Sequence, residues 1–181
     1  GGAAGMRSAK WQEKKAALEA LKEYVAGGAA AGRVGEVSGP IISLMGHRTR
    51  AFKESNFNVM GEVYAVVAAL AEACSDGDAA LDRRAAGAVA NAAAEKLADK
   101  KLGAPAAALL LALAEALGPA WAAARVYAAL DKTKAPLARA EMLAFLQQLV
   151  VDFGAGPLRP QRLAPAAVAE LGNSNPKVRR A

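Results

Sequence analysis

Apolar positions recur along this chain at the period of an α-helix. Met60, Val63, Tyr64, Val67, Leu70, Ala71 and Cys74 fall at i, i+3, i+4 and i+7 spacing, one stripe on one helix. Met142, Leu143, Leu146, Leu149, Val150 and Phe153 form a second stripe, and Leu18, Leu21 and Val25 a shorter one behind Trp11. Pro105, Pro119, Pro136 and Pro176 sit where a helix would begin, since a first-turn residue has no amide partner to lose. Gly27-Gly28, Gly77, Gly103, Gly118 and Gly154 punctuate the gaps. The pattern predicts helices over 11–25, 36–46, 55–74, 79–97, 105–117, 119–130, 136–153 and 161–171, with a last one starting at Pro176.

Composition sharpens this picture. Alanine supplies 49 of the 181 residues, and only 5% of the chain is aromatic although 54% is hydrophobic. Alanine orders into helix without side-chain entropy loss. The short alternating runs of Val, Ile, Thr and aromatics that strands need are missing. The expectation is an all-α protein whose helices pack closely in thin layers. A single cysteine, Cys74, allows no intrachain disulfide or Cys-rich zinc site. A single histidine, His47, read as a helix-end or solvent residue, leaves no conventional relay. Asp76, Asp78 and Asp82 lack the Gly and Glu of an EF-hand loop and read as helix-start acids. Catalysis, cofactor and metal are not expected. The most apolar stretch, Leu102 to Ala114, falls short of the roughly 20 residues of a membrane span. Gly1 to Lys10 lacks a signal-peptide core. The expected chain is soluble and intracellular, with no membrane partner.

Short basic turns repeat between the predicted helices. Marked by Lys10, Lys53, Lys100, Lys132 and Lys177, they step by 43, 47, 32 and 45 residues. Three of these steps match the roughly 40–47 residues of a HEAT-type helical hairpin. The predicted repeats are 10–25, 36–74, 79–117, 119–153 and 161–181, after an irregular leader over 1–9, all in one domain cut from a larger protein. The net charge of +6 follows the same division. Residues 10–15, 48–54, 99–103, 131–135 and 175–180 hold 13 Lys or Arg against 4 Asp or Glu, whereas the rest of the chain is net acidic. In a hairpin array, turns of one class emerge on one edge, so that edge is basic and suits an acidic partner.

These turns carry a family resemblance. Lys10-Trp11-Gln12-Glu13-Lys14 resembles the opening turn of a TOG domain, the tubulin-binding HEAT array of the chTOG and Minispindles microtubule-polymerase family. Phe52-Lys53-Glu54-Ser55-Asn56-Phe57-Asn58-Val59-Met60 is similar to the second turn, above all that of the family's third TOG domain. Asp99-Lys100-Lys101 and Asp131-Lys132 to Pro136 fit the third and fourth turns, and Gly172 to Arg179 resembles the fifth. The chain departs from the pattern at Lys14, where the family has Arg, and at Phe52, where it has Trp.

The resemblance implies a HEAT-repeat α-solenoid whose turn edge binds αβ-tubulin or a microtubule. It assigns Trp11 as anchor, Phe52, Lys53 and Asn56 as the second contact, and Lys100 and Lys101 as the third. Lys132 and Lys134 follow as the fourth and Lys177 as the fifth. It also implies sister TOG domains in the same chain and a cytoplasmic, cytoskeletal place at the spindle, the microtubule-organising centre or the cilium. The residues alone leave other readings open. Trp11 equally suits a core residue, Lys100 and Lys101 suit helix-end cations, and Asn56 suits an N-cap. Phe57 and Met60 read as core, and Arg179 as a structural tie between repeats. A scaffold docking on the lattice or on a neighbouring protein is the alternative function. Nucleic-acid binding is disfavoured by the few aromatics in the turns.

Overall fold

In a computed structural model of the chain, the described residues are 10–27 and 32–158, together with positions 5, 161, 164, 165, 167 and 168. Within 10–27 and 32–158 seven helices follow one another: α1 (Trp11–Ala26), α2 (Val34–Arg48), α3 (Phe57–Asp76), α4 (Arg83–Ala94), α5 (Gly103–Leu117), α6 (Pro119–Lys132) and α7 (Pro136–Phe153), with a 3-10 turn at Gly156–Leu158. The described residues contain no strand. Of the predicted helix over 161–171, the described positions 161, 164, 165, 167 and 168 are helical, and so is Gly5 within the leader over 1–9 that was expected to be irregular. The helix expected from Pro176 lies outside the described residues.

Consecutive helices fold back as hairpins, α2 on α3, α4 on α5 and α6 on α7. The hairpins stack so that α1, α3 and α5 form one layer and α2, α4 and α6 the other. This is the expected HEAT-repeat solenoid. Both predicted stripes face its interior: every residue of the Met60–Cys74 stripe is buried, as are Met142, Leu143, Leu146 and Leu149. Alanines do the packing between α4, α5 and α6. Ala86, Ala90, Ala93 and Ala94 of α4 are buried with Ala106 and Ala114 of α5 and Ala122 and Ala123 of α6. Helix α3 is long and apolar enough by composition to cross a membrane, a property the sequence reading placed on no helix. Its apolar residues are instead taken up by α1, α2 and α5 packed around it.

The element boundaries have local causes. Helix α4 starts at Arg83 rather than at 79 because the Asp82 carboxylate accepts hydrogen bonds from the amides of Arg84 and Ala85, both 2.9 Å. Of the three aspartates read as helix-start acids, this is the one that caps. Asp76 ends α3, and Asp78 takes a left-handed φ of 50° in the connection. Gly118 alone joins α5 to α6, and its φ of 96° is one that only glycine adopts without strain. Pro119 then occupies the first position of α6. Asn56 caps α3 by accepting from the amides of Asn58 (3.0 Å) and Val59 (3.4 Å). Asn56→Ala should therefore cost about 1 kcal/mol of stability, read from the urea midpoint.

Candidate functional site

Because α2, α4 and α6 run in the same direction, the turns that follow them share one edge with the start of α1. Two contacts tie these turns together. The Lys14 ammonium of the first turn lies 3.1 Å from the Glu54 carboxylate of the second, and both side chains are largely withdrawn from solvent. The Lys101 ammonium of the third lies 5.5 Å from the centre of the Phe57 ring at the start of α3.

The first turn presents Trp11, the first residue of α1, with 39% of its surface exposed. The core alternative for Trp11 is thereby excluded. Lys10 beside it is exposed and 3.7 Å from Glu13.

The second turn is the most constrained. Arg50, Ala51 and Phe52 take φ values of 52°, 58° and 64°, three successive non-glycine residues in the left-handed region. Each costs roughly 1–2 kcal/mol, so the surroundings must hold the turn. The buried Thr49 hydroxyl donates to the Met45 carbonyl (2.7 Å) and accepts from the Phe52 amide (3.3 Å). The Ala51 amide donates to the Gly46 carbonyl (2.7 Å). The Phe52 ring lies over Gly46 so closely that a Cβ there would meet two ring carbons at 3.0 Å. Phe52 is 6% exposed, which corrects its assignment as a contact. It is the wedge that shapes the turn. Lys53, next in the chain, is exposed as expected, whereas Asn56 spends its side chain on the cap of α3. Phe57, expected in the core, is 44% exposed, because it begins α3 on the side facing Lys101. Met60 is buried as expected.

Glu54 links the turns electrostatically. Burial pushes its carboxyl pKa up, but hydrogen bonds from Lys14 and from the Asn56 amide outweigh that and hold it below its ordinary value of 4.5. A carboxyl lowered in the folded state contributes stability at neutral pH, which is lost as pH falls through the acid range. The melting temperature should therefore drop from pH 6 toward pH 3. Glu54→Gln should flatten that acid limb while lowering the neutral-pH value.

In the third turn Asp99 accepts from the amides of Lys101 (2.9 Å) and Leu102 (3.0 Å), and those two bonds lower its pKa. The resulting tight turn leaves Lys100 and Lys101 exposed. In the fourth, the Arg139 guanidinium donates to the carbonyls of Leu130 (2.9 Å) and Thr133 (3.1 Å), fixing the end of α6. Lys132 and Lys134 flank that point and are exposed. Lys177 and Arg179 lie outside the described residues. Of the predicted contacts, the structure thus brings Trp11, Lys53, Lys100, Lys101, Lys132 and Lys134 to the surface of one edge. Sequence reasoning missed Glu54, Phe57 and Arg139. The first two join turns 40 or more residues apart, which no local pattern signals.

The other singled-out residues take bland positions. His47 is exposed in the last turn of α2. Cys74 is buried, and burial pushes its thiol pKa up. Among the described residues no group of His, Cys, Asp or Glu is arranged to hold a metal.

The two-layered hairpin array has the fold of TOG-type HEAT-repeat domains, as the comparisons with solved structures show. Within that class the chain superposes on the third TOG domain of Drosophila melanogaster Mini spindles with a TM-score of 0.83 at 27% identity, covering 99% of this chain and 75% of that one. Zyg9 of C. elegans gives a TM-score of 0.77 at 17% identity, over 98% of this chain and 65% of that one, a likeness of fold. A further structure, described for TOG–tubulin binding specificity in microtubule dynamics and mitotic spindle formation, gives 0.79 at 18% identity, over 98% and 70%. Among curated sequences, Drosophila melanogaster Protein mini spindles is 28% identical over 175 residues, which are 97% of this chain and 8% of that protein. Centrosomal protein 224 of Dictyostelium discoideum is 26% identical over 152 residues, 84% of this chain and 7% of that protein. The chain therefore spans less than a tenth of the length of these curated relatives. No protein-family model matches it.

Proposed function

We propose that this chain is a tubulin-binding module of a microtubule-associated protein, engaging αβ-tubulin through the turn edge. The observation that carries the reading is the alignment, on one edge of a TOG fold, of an exposed tryptophan with a row of exposed lysines. A half-exposed Trp held on a helix start is a ready hot-spot anchor. Lysines at Lys53, Lys100, Lys101, Lys132, Lys134 and, by resemblance, Lys177 speed encounter with an acidic surface and set register. The module acts by binding, without chemistry of its own. Its similarity to small parts of spindle and centrosomal proteins supports a place on spindle microtubules, in company with sister TOG domains that add avidity.

The test is size-exclusion or interferometric binding to purified αβ-tubulin with an RNA duplex as competitor. Tubulin binding indifferent to RNA is expected. Displacement by RNA would favour a general polyanion site, and its affinity would then fall steeply with salt. Failure of a folded chain to bind free tubulin, together with binding to assembled microtubules, would favour the lattice-docking scaffold. That second reading draws on the second turn, whose string Phe52 to Met60 resembles that of the family's third TOG domain.

A further inference from the structure

Among the described residues, two exposed aromatic side chains stand at the turn edge, each the first residue of a helix that follows a basic turn. They are Trp11 of α1 and Phe57 of α3, with 39% and 44% of their surface exposed. Single exposed hydrophobics are ordinary on a protein surface, but Phe57 is set apart in three ways. Its backbone is fixed, because the Asn56 side chain caps α3 and Val59 and Met60 just behind it are buried in the core. It lines two recesses, one of about 610 Å³ between the second and third turns and one of about 420 Å³ between α1, α3 and α5. The residues common to both are Phe57, Tyr64 and Lys101, and Tyr64 is buried, so the Phe57 ring and the Lys101 chain form their exposed dividing wall. The charges lining the larger recess also balance, Lys53, Lys96 and Lys101 against Glu54, Glu95 and Asp99. At this point the edge offers a partner an apolar knob between two hollows rather than a further cation.

We propose that Phe57 is a direct contact with tubulin, inserting into an apolar hollow of an otherwise acidic surface, in the place that the sequence pattern gives to Phe52. This rests on the reading of the turn edge as a tubulin-binding surface, and it names a residue that sets the specificity of that surface. Exposed lysines attract any polyanion. A ring that must be covered favours only a partner with apolar surface at the matching point. The ring is also held before binding, by the capped start of α3 and by the Lys101 ammonium 5.5 Å from its centre, so covering it costs little ordering.

The test pairs αβ-tubulin with heparin, a polyanion that has no apolar hollow, in interferometry at low and high salt. Phe57→Ala should weaken tubulin binding about tenfold, through faster dissociation and at both salt concentrations, which is the effect of removing an aromatic anchor. Phe57→Leu should keep most of that affinity, and heparin should bind both variants as it binds the wild type. A Phe57→Ala chain that binds tubulin like the wild type would overturn the proposal. So would equal losses toward tubulin and heparin, because the ring would then serve only to place Lys101. A second measurement needs no substitution. In the complex, saturation of the tubulin protons should pass to the ring protons of Phe57 and not to those of the buried Phe52. Transfer to Phe52 alone, or to neither ring, would overturn the proposal even if Phe57→Ala failed to fold. A wild-type chain that binds neither tubulin nor microtubules overturns the tubulin reading itself, whereas tubulin binding indifferent to Phe57 overturns the contact and leaves that reading standing.

Discussion

Trp11→Ala is expected to weaken binding to αβ-tubulin by about 30-fold or more while leaving the melting curve unchanged. The size follows from what truncating a hot-spot aromatic costs, about 2 kcal/mol or more, where tenfold is about 1.4 kcal/mol. The specificity follows from position. Trp11 is the first residue of α1 and is 39% exposed, so its removal opens no cavity in the core. The paired charge reversal Lys100→Glu/Lys101→Glu should act differently. Those lysines project from a turn held by Asp99 through backbone amides, which the substitutions leave intact. Their loss should slow association and flatten its salt dependence, as expected of charges at an interface rim. Interferometry at two salt concentrations separates the two effects. Equal affinity of wild type and Trp11→Ala would remove the anchor from the account.

Phe52→Ala should produce the opposite signature, a loss of stability of about 3–5 kcal/mol and of about 10 °C in melting temperature. The ring is buried over Gly46 and closes a turn in which Arg50, Ala51 and Phe52 are all left-handed. Without the ring, only the hydrogen bonds of Thr49 and the Ala51 amide oppose the strain of those three residues, so the turn should relax and Lys53 lose its fixed position. Any loss of tubulin affinity would then track unfolding of the turn, visible as faster amide exchange at Ala51 and Lys53. Gly46→Ala should act in the same direction, because the new Cβ would press on the ring from the other side. A Phe52→Ala protein of unchanged stability but weakened binding would restore Phe52 as a direct contact.

The helices were legible because their stripes repeat over several turns, as at Met60–Cys74 and Met142–Leu149, where burial depends only on period. The starts of α6 and α7 were legible from Pro119 and Pro136. The start of α4 was misplaced by four residues, because the apolar run over 79–81 looks helical until the Asp82 side chain is seen to take the capping amides. The charge of the edge was equally readable, since lysines in short turns have few places to go but outward. Direction within the second turn was not. Whether Phe52 or Phe57 faces solvent depends on three left-handed residues and on the space left by Gly46, and no periodicity reports either. Lys14 with Glu54, and Phe57 with Lys101, depend on how hairpins stack, which is information held between repeats rather than within one.

If the turn edge is the binding surface, tubulin should protect its backbone amides. Hydrogen exchange of the chain alone and in complex with αβ-tubulin tests it most directly. Slowed exchange is expected at residues 10–15, 49–57, 99–103 and 131–135, with the opposite edge around 77–82 and Gly118 unchanged. Protection at that opposite edge, with the four turns exchanging as in the free chain, would contradict it.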